Sequence, residues 1–374
     1  RERESRHTSV RAEIGALWGG EQVLRAVALE IPFGVPGDRP GIEHTVRKGV
    51  AYWLPDTLSL KVELAADMRR RGIFESVVYS ADIDASVRLP FPSVDALPRN
   101  LRSKFPDLML FWDESRILVG VSDLKGIRGL SATSPGRGPM TLEPGSNMPG
   151  FIGDGLSAPL ALDPQSNSAF DIVLSMTLNG SGRLAVAPLG RRTRVALAGD
   201  WPDPSFDGGY LPTQYEVSAE GTTATWDVGH FGRGFGQVLI AGARKSRLNS
   251  KIAQSVFGMR LLQPITPYRL AERAIKYGML FLVFTFAFVF IVEALAHRPV
   301  HVVQYATVGI PLCLFFLLLV AFAEHMGFAM AYTCGAIAVV SLVGYYAHVL
   351  FGRWRHTALI CVALGGLYGF LYTL

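Results

Sequence analysis

Hydrophobic and polar positions divide this chain into two regimes. From Tyr277 onward apolar residues run almost unbroken, in four stretches at 277–296, 301–323, 326–351 and 357–374. About 20 apolar residues in a helix span a hydrocarbon core, so each stretch reads as a transmembrane segment, the fourth being cut short. The spacers are His297 to Val300, Glu324-His325 and Gly352 to His356. Links this short force successive helices to run antiparallel as neighbours. The segments are rich in small residues, including Gly365, Gly366 and Gly369, which let helix backbones approach where no hydrophobic effect drives association. Pro311 is expected to kink the second helix, since it lacks an N–H and its ring crowds the preceding turn.

Upstream the period changes. Short runs of β-branched and aromatic residues recur between turn signals, at 23–31, 43–53, 76–89, 116–121, 169–178, 183–186 and 214–228. Breakers such as Pro36-Gly37, Pro144-Gly145, Asn179-Gly180 and Asp207-Gly208-Gly209 separate them. This spacing predicts an all-β, sandwich-like domain. Asn179-Gly180-Ser181-Gly182 reads as a hairpin turn, and 132–155, rich in Pro, Gly and Ser, as a long ordered loop. Residues 1–18 carry Val10, Ile14 and Leu17 at helical spacing and predict a helix extending an upstream anchor. The expected division is therefore 1–18 helical extension, 19–268 β-rich extracytoplasmic domain and 269–374 transmembrane bundle. Residues 270–276 are expected to form a helix near the headgroups, with their basic side chains snorkelling.

Charge sharpens this division. Beyond Tyr277 the charged side chains are Glu293, Arg298, Glu324, Arg353 and Arg355; every other one lies upstream. The net charge is +5, but the longest basic run is Arg69-Arg70-Arg71 and basic residues are mixed with acidic ones, so no nucleic-acid partner is expected; the lipid bilayer is. The three cysteines, Cys313, Cys334 and Cys361, all lie in apolar segments, so the β-rich domain needs no disulfide. The short loops place Arg298, Arg353 and Arg355 inside and the large domain outside, although Arg269, Arg273 and Lys276 then sit on the opposite side of the first helix.

Several stretches resemble the CreD family of bacterial inner-membrane proteins. They are 269–277 at the entry to the first helix, Val303-Gln304-Tyr305 with Val308-Gly309, and Glu324-His325-Met326-Gly327-Phe328. Tyr52-Trp53-Leu54-Pro55-Asp56, 121–127, Leu142-Glu143-Pro144-Gly145 and Trp201-Pro202-Asp203-Pro204-Ser205-Phe206 follow the family in the same order. Two details depart from it: Pro299 and His301 are displaced relative to the family's His-Pro, and Ala323 replaces a Ser. The resemblance implies an anchor helix before Arg1, a large periplasmic domain, a C-terminal helical bundle continuing past Leu374, and a role in envelope integrity under two-component control. It implies no reaction.

No phosphate loop, zinc-protease helix, nucleophile elbow or paired-cysteine site is present, and no catalytic residue, cofactor or metal is expected. Four constellations remain. Asp123, Lys125 and Arg128 on one turn fit a polar ligand or a self-capped turn. Trp201 with Phe206 fits a docking surface or a core corner. Glu293, at membrane depth, is a functional candidate or a partner of His297 or His301. Glu324 with His325 fits a proton relay or a plain turn. The favoured function is a non-enzymatic envelope scaffold or binding module, with an envelope protein or a lipid as partner. The rivals are a transporter or lipid handler built around Glu293, His301, Gln304 and Glu324, and a membrane-bound hydrolase.

Overall fold

The computed structural model describes residues 13, 15, 17–35, 46–71, 74–145, 155–165, 168–241, 245–262, 276–296, 301–351 and 354–373. The chain divides into two compact units, Arg1–Gln263 and Pro264–Leu374. The expected helices at 1–18 and 270–276 fall mostly outside the described residues.

The first unit is β-rich. Its strands are β1 (Gln22–Val35), β2 (Val46–Trp53), β3 (Thr57–Arg71), β4 (Phe74–Leu89), β5 (Met109–Leu110), β6 (Arg116–Gly120), β7 (Ile127–Ser134), β8 (Gly138–Met140) and β9 (Glu143–Pro144). They continue with β10 (Gly155–Pro159), β11 (Phe170–Ser181), β12 (Arg183–Val186), β13 (Arg192–Gly199), β14 (Pro204–Gly208), β15 (Gln214–Ser218), β16 (Gly221–Gly229), β17 (Val238–Ile240) and β18 (Phe257–Leu261). Two helices accompany them, α1 (Arg99–Lys104) and α2 (Lys245–Ser255).

These strands form two sheets. The second runs β15-β16-β13-β3-β4-β11-β7-β8. It is antiparallel except for the parallel β3–β13 pair. Burial alternates residue by residue along β13 and β16, the signature of a sheet with one dry and one wet face. The wet face carries cross-strand charge pairs such as Arg88–Asp171 and Arg192–Asp227. Such exposed pairs contribute at most about 1 kcal/mol each, so they set register more than stability. The first sheet follows β14-β18-β12-β1-β6-β10-β9, with β2, β5 and β17 branching from it. Strand β6 is buried on both faces. One face joins a core shared with the other sheet: Leu29 and Ile117 lie in the same cluster as Leu60, Ile83 and Leu174. The other packs Ala28 and Leu118 with Ile252 of α2. Two buried faces explain why these strands read as continuous apolar runs.

Three local expectations are corrected. Asn179-Gly180-Ser181-Gly182 is not a hairpin. Strand β11 continues to Ser181, and β12 pairs with β1 and β18 in the other sheet. Gly182, at φ 70°, is the point where the chain changes sheets, in a conformation that suits glycine. The stretch 132–155 is not one loop: it contains part of β7 and all of β8 and β9, while 146–154 lie outside the described residues. Similarly, 214–228 is two strands folded at Ala219-Glu220, with Ser218 opposite Gly221.

Two buried tyrosines give the β-rich unit a pH signature. Tyr52 faces Glu30 across the β1–β2 ladder. Burial, then the Glu30 carboxylate, push its phenol from 10 up to about 12. Tyr79, whose hydroxyl donates to the Arg183 carbonyl at 2.8 Å, is also raised by burial. Raised folded values mean that the folded chain keeps protons the unfolded chain releases. Stability is therefore full below pH 10 and falls as pH rises beyond it, by about 1.4 kcal/mol per pH unit for each such group. Denaturant titrations on either side of that pH should show the decline, and Tyr52→Phe should make it shallower.

The second unit is helical: α3 (Gly278–Ala296), α4 (Val302–Met326), α5 (Phe328–Phe351) and α6 (Trp354–Thr373). Among the described residues, three helices are long and apolar enough to cross a membrane, at Val302–Ala323, Phe328–Val349 and Trp354–Thr373; α3 adds the shorter apolar stretch Leu282–Ala294. Phe315 of α4, Tyr332 of α5 and Tyr368 of α6 meet edge to face at 4.8–6.3 Å between ring centres. Gly335 gives Phe315 its space: a β-carbon there would lie 3.1 Å from the ring. Outward positions such as Phe290, Leu317 and Val362 are more than half exposed, an apolar perimeter suited to lipid. Pro311 lies inside α4, which runs continuously through it.

Candidate functional site

Among the described residues of the helical unit, the polar side chains singled out by the sequence bond to nearby backbone or to a neighbouring helix. His301 caps α4: its Nδ1 accepts from the Val303 N–H at 3.3 Å, and Gln304 Oε1 accepts from the His301 N–H at 2.8 Å. This reciprocal pair is a capping box, which satisfies N–H groups that a helix start otherwise leaves bare. Glu293 accepts a hydrogen bond from the Tyr305 hydroxyl, joining α3 to α4. His297 lies outside the described residues, and His301 is engaged in the cap; Tyr305 gives no polar signal in an apolar run. Glu324 and His325 do not form the turn expected of them. Both continue α4, and the chain turns at Gly327, φ 80°; their side chains lie outside the described residues.

In the β-rich unit, Asp123, Lys125 and Arg128 do not converge on a ligand. Asp123 Oδ1 accepts from the Lys125 N–H at 3.0 Å and caps its own turn. Lys125 is exposed, and Arg128 stacks over the Trp18 ring at 5.9 Å, beside Arg69 at 4.7 Å. The turn is held by a residue that the sequence did not flag. Gln22 is fully buried. Its Nε2 donates to the carbonyls of Gly19, Asp123 and Asn179 at 2.7–3.1 Å, and its Oε1 accepts from the Asp123 N–H at 3.1 Å.

Trp201 leads to an open site. Its indole N–H donates to the carbonyls of Asp203 and Leu262 at 3.1 and 3.0 Å, pinning the 201–204 turn to the end of β18. Beside that turn lies a groove of about 530 Å³, lined among others by Pro204, Phe206, Leu211, Tyr215, Val217 and Leu262. It opens between β14, at the edge of one sheet, and β15, at the edge of the other. Phe206 forms its floor, packed on Trp226 and Tyr215. Tyr215 and Val217 pair with Ala224 and Thr222, residues of the dry face that are buried. Opposed residues of an antiparallel pair share a face, so Tyr215 and Val217 also face inward. They are nevertheless 61% and 47% exposed, and Leu211 is 73% exposed. The inward face of one sheet thus extends past the edge of the other and is left uncovered. The sequence singled out Trp201 and Phe206 here but not Leu211, Tyr215 or Val217, because exposure of an inward-facing residue depends on where the opposite sheet stops. Among the described residues, no group of three or more His, Cys, Asp or Glu is placed to hold a metal ion.

Comparison with known proteins gives these features a setting. The profile of the family described as "Inner membrane protein CreD" matches residues 1–374. The chain belongs to that family. It is also 28% identical to the inner membrane protein CreD of Escherichia coli (strain K12) over 367 residues, which is 97% of this chain and 78% of that protein. In CreD terms, the family stretch Trp201–Phe206 borders the open groove, and the stretch Gln304-Tyr305 supplies both the α4 cap and the partner of Glu293.

Proposed function

We propose that this CreD-family protein is a multi-pass envelope-maintenance factor of the inner membrane. In this reading its β-rich unit is a periplasmic sandwich acting as a non-enzymatic binding module, through the groove between β14 and β15. The uncovered, inward-facing Tyr215 and Val217 carry this reading, since apolar side chains on the dry face of a sheet are ordinarily covered. Periplasmic placement is supported by the positions of Arg298, Arg353 and Arg355 in the sequence, flanking apolar stretches on the side that tends to stay cytoplasmic, and a sandwich by the core that both sheets share.

A second reading, transport or lipid handling through the helical unit, is favoured by one observation. Glu293 and Tyr305 form a hydrogen bond at membrane depth, where ionisable groups mark pathways. The two readings separate in cells. A strain lacking the protein is complemented with variants and challenged with an envelope-active agent. Leu211→Asp combined with Tyr215→Asp should behave like the deletion, and Glu293→Gln like the wild type. The reverse pattern, with both proteins present in the membrane at wild-type level, would replace the first reading by the second.

A further inference from the structure

We propose that the occupant of the groove is a short, extended, basic segment of a partner polypeptide, added as a strand along the free edge of β14. This deepens the binding-module reading and rests on it. Three observations lead to it.

The first is the hydrogen-bonding direction of β14. Asp203 accepts from the Leu262 N–H and Gly209 donates to Val256, at 3.1 and 2.9 Å. Alternate residues of an antiparallel strand bond to alternate sides. Residues 205 and 207 therefore bond towards β18, while the N–H and C=O of Phe206 point to the groove side. Among the described residues β14 pairs only with β18. An open strand edge over an apolar floor is the geometry of strand addition, in which main-chain bonds supply affinity and alternate side chains fill pockets. A lipid tail would cover the floor and leave the edge groups bare. Pro204 lacks an N–H, which limits the edge to a short segment.

The second is the space itself. A strand laid beside β14 would lie over Tyr215 and Val217, the two inward-facing residues that the opposite sheet does not reach.

The third is charge. Asp203 lines the groove. It has no ion-pair partner among the described residues, whereas Asp207 of β14 is held by Arg183 and Arg260. An uncompensated carboxylate at the rim of the groove favours a cationic residue in the occupant and disfavours an anionic one.

The test uses the full-length protein in mild detergent and three end-capped ten-residue peptides. One alternates Lys and Val, one Glu and Val, and one Lys and Pro. Titration calorimetry should show the Lys/Val peptide binding, the Glu/Val peptide not binding, and the Lys/Pro peptide at least tenfold weaker, because proline cannot complete the ladder. Asp203→Asn should weaken the Lys/Val peptide about threefold, as expected for one exposed ion pair. Equal affinity for the acidic peptide, or no effect of Asp203→Asn, overturns the basic partner. Equal affinity for the Lys/Pro peptide overturns strand addition. A photo-crosslinker at Val217 that joins only residues of the same chain, or only lipid, overturns the partner segment altogether. If no peptide binds but Leu211→Asp with Tyr215→Asp still abolishes complementation, this inference fails while the binding-module reading stands.

Discussion

Replacing Arg233 by Leu will destabilise the β-rich unit by about 4 kcal/mol, since each buried acceptor left bare costs about 1–3 kcal/mol. Arg233 is only 2% exposed and has no carboxylate partner among the described residues. Its Nη1 donates to the carbonyls of Pro188, Leu189 and Gly190, its Nε to that of Phe235 at 3.3 Å, and its guanidinium lies over the Phe235 ring at 4.6 Å. It therefore ties the β12–β13 connection to the segment that follows β16. Burial lowers its pKa to about 10, which still leaves it charged at neutral pH. The fold accepts a buried cation because backbone dipoles surround it. Leu fills the volume but supplies none of the donors. Equilibrium unfolding of the purified protein, followed by tryptophan fluorescence, should show the loss, and Arg233→Lys should recover part of it through one compact charge. A change below about 1 kcal/mol in Arg233→Leu would show that water satisfies those carbonyls instead.

Gln22→Leu is expected to have the second largest effect, about 3 kcal/mol by the same accounting of buried groups left bare. Gln22 bonds to both the N–H and the C=O of Asp123, as well as to Gly19 and Asn179. It thus locks the start of β1, the turn after β6 and the end of β11 at one point. Gly126 packs so closely there that a β-carbon would fall 2.5 Å from Gln22 Nε2 and 2.3 Å from the Asn179 carbonyl. A side chain at position 126 therefore cannot stand in for the amide. The loss should be local as well as global: hydrogen exchange at the amide of Asp123 should accelerate more than at β16. Uniform acceleration across the unit would show that Gln22 contributes only to overall packing.

Arg233 and Gln22 also show where sequence patterns lose their grip. Both act on backbone groups 43 or more residues away for Arg233 and 157 away for Gln22. No period or motif encodes a partner at such separation. Strand β3 escaped for a different reason: Lys61, Glu63, Asp67 and Arg69 on its wet face gave it the look of a charged segment. Its parallel place beside β13 and antiparallel place beside β4 are what keep Leu58, Leu60 and Val62 dry. The apparent hairpin at Asn179-Gly180 misled because turn residues mark a change of direction without saying which sheet receives the chain.

What the sequence by itself determined is the kind of solvent each part of the chain meets. Long apolar runs can only be helices in a bilayer or buried, and short alternating runs can only be half-buried strands, because those outcomes follow from local composition and period. The family stretches added the setting. Only the tertiary structure decided which polar residues are left over. His301 and Gln304 are taken up by a helix cap, Glu293 by Tyr305, and Asp123 by its own turn, whereas Tyr215 and Val217 remain uncovered and Asp203 has no ion-pair partner among the described residues. The physical reason is that a side chain becomes available for function only when the elements packed around it leave its surface and its bonds unused, and that remainder is set by where distant strands end.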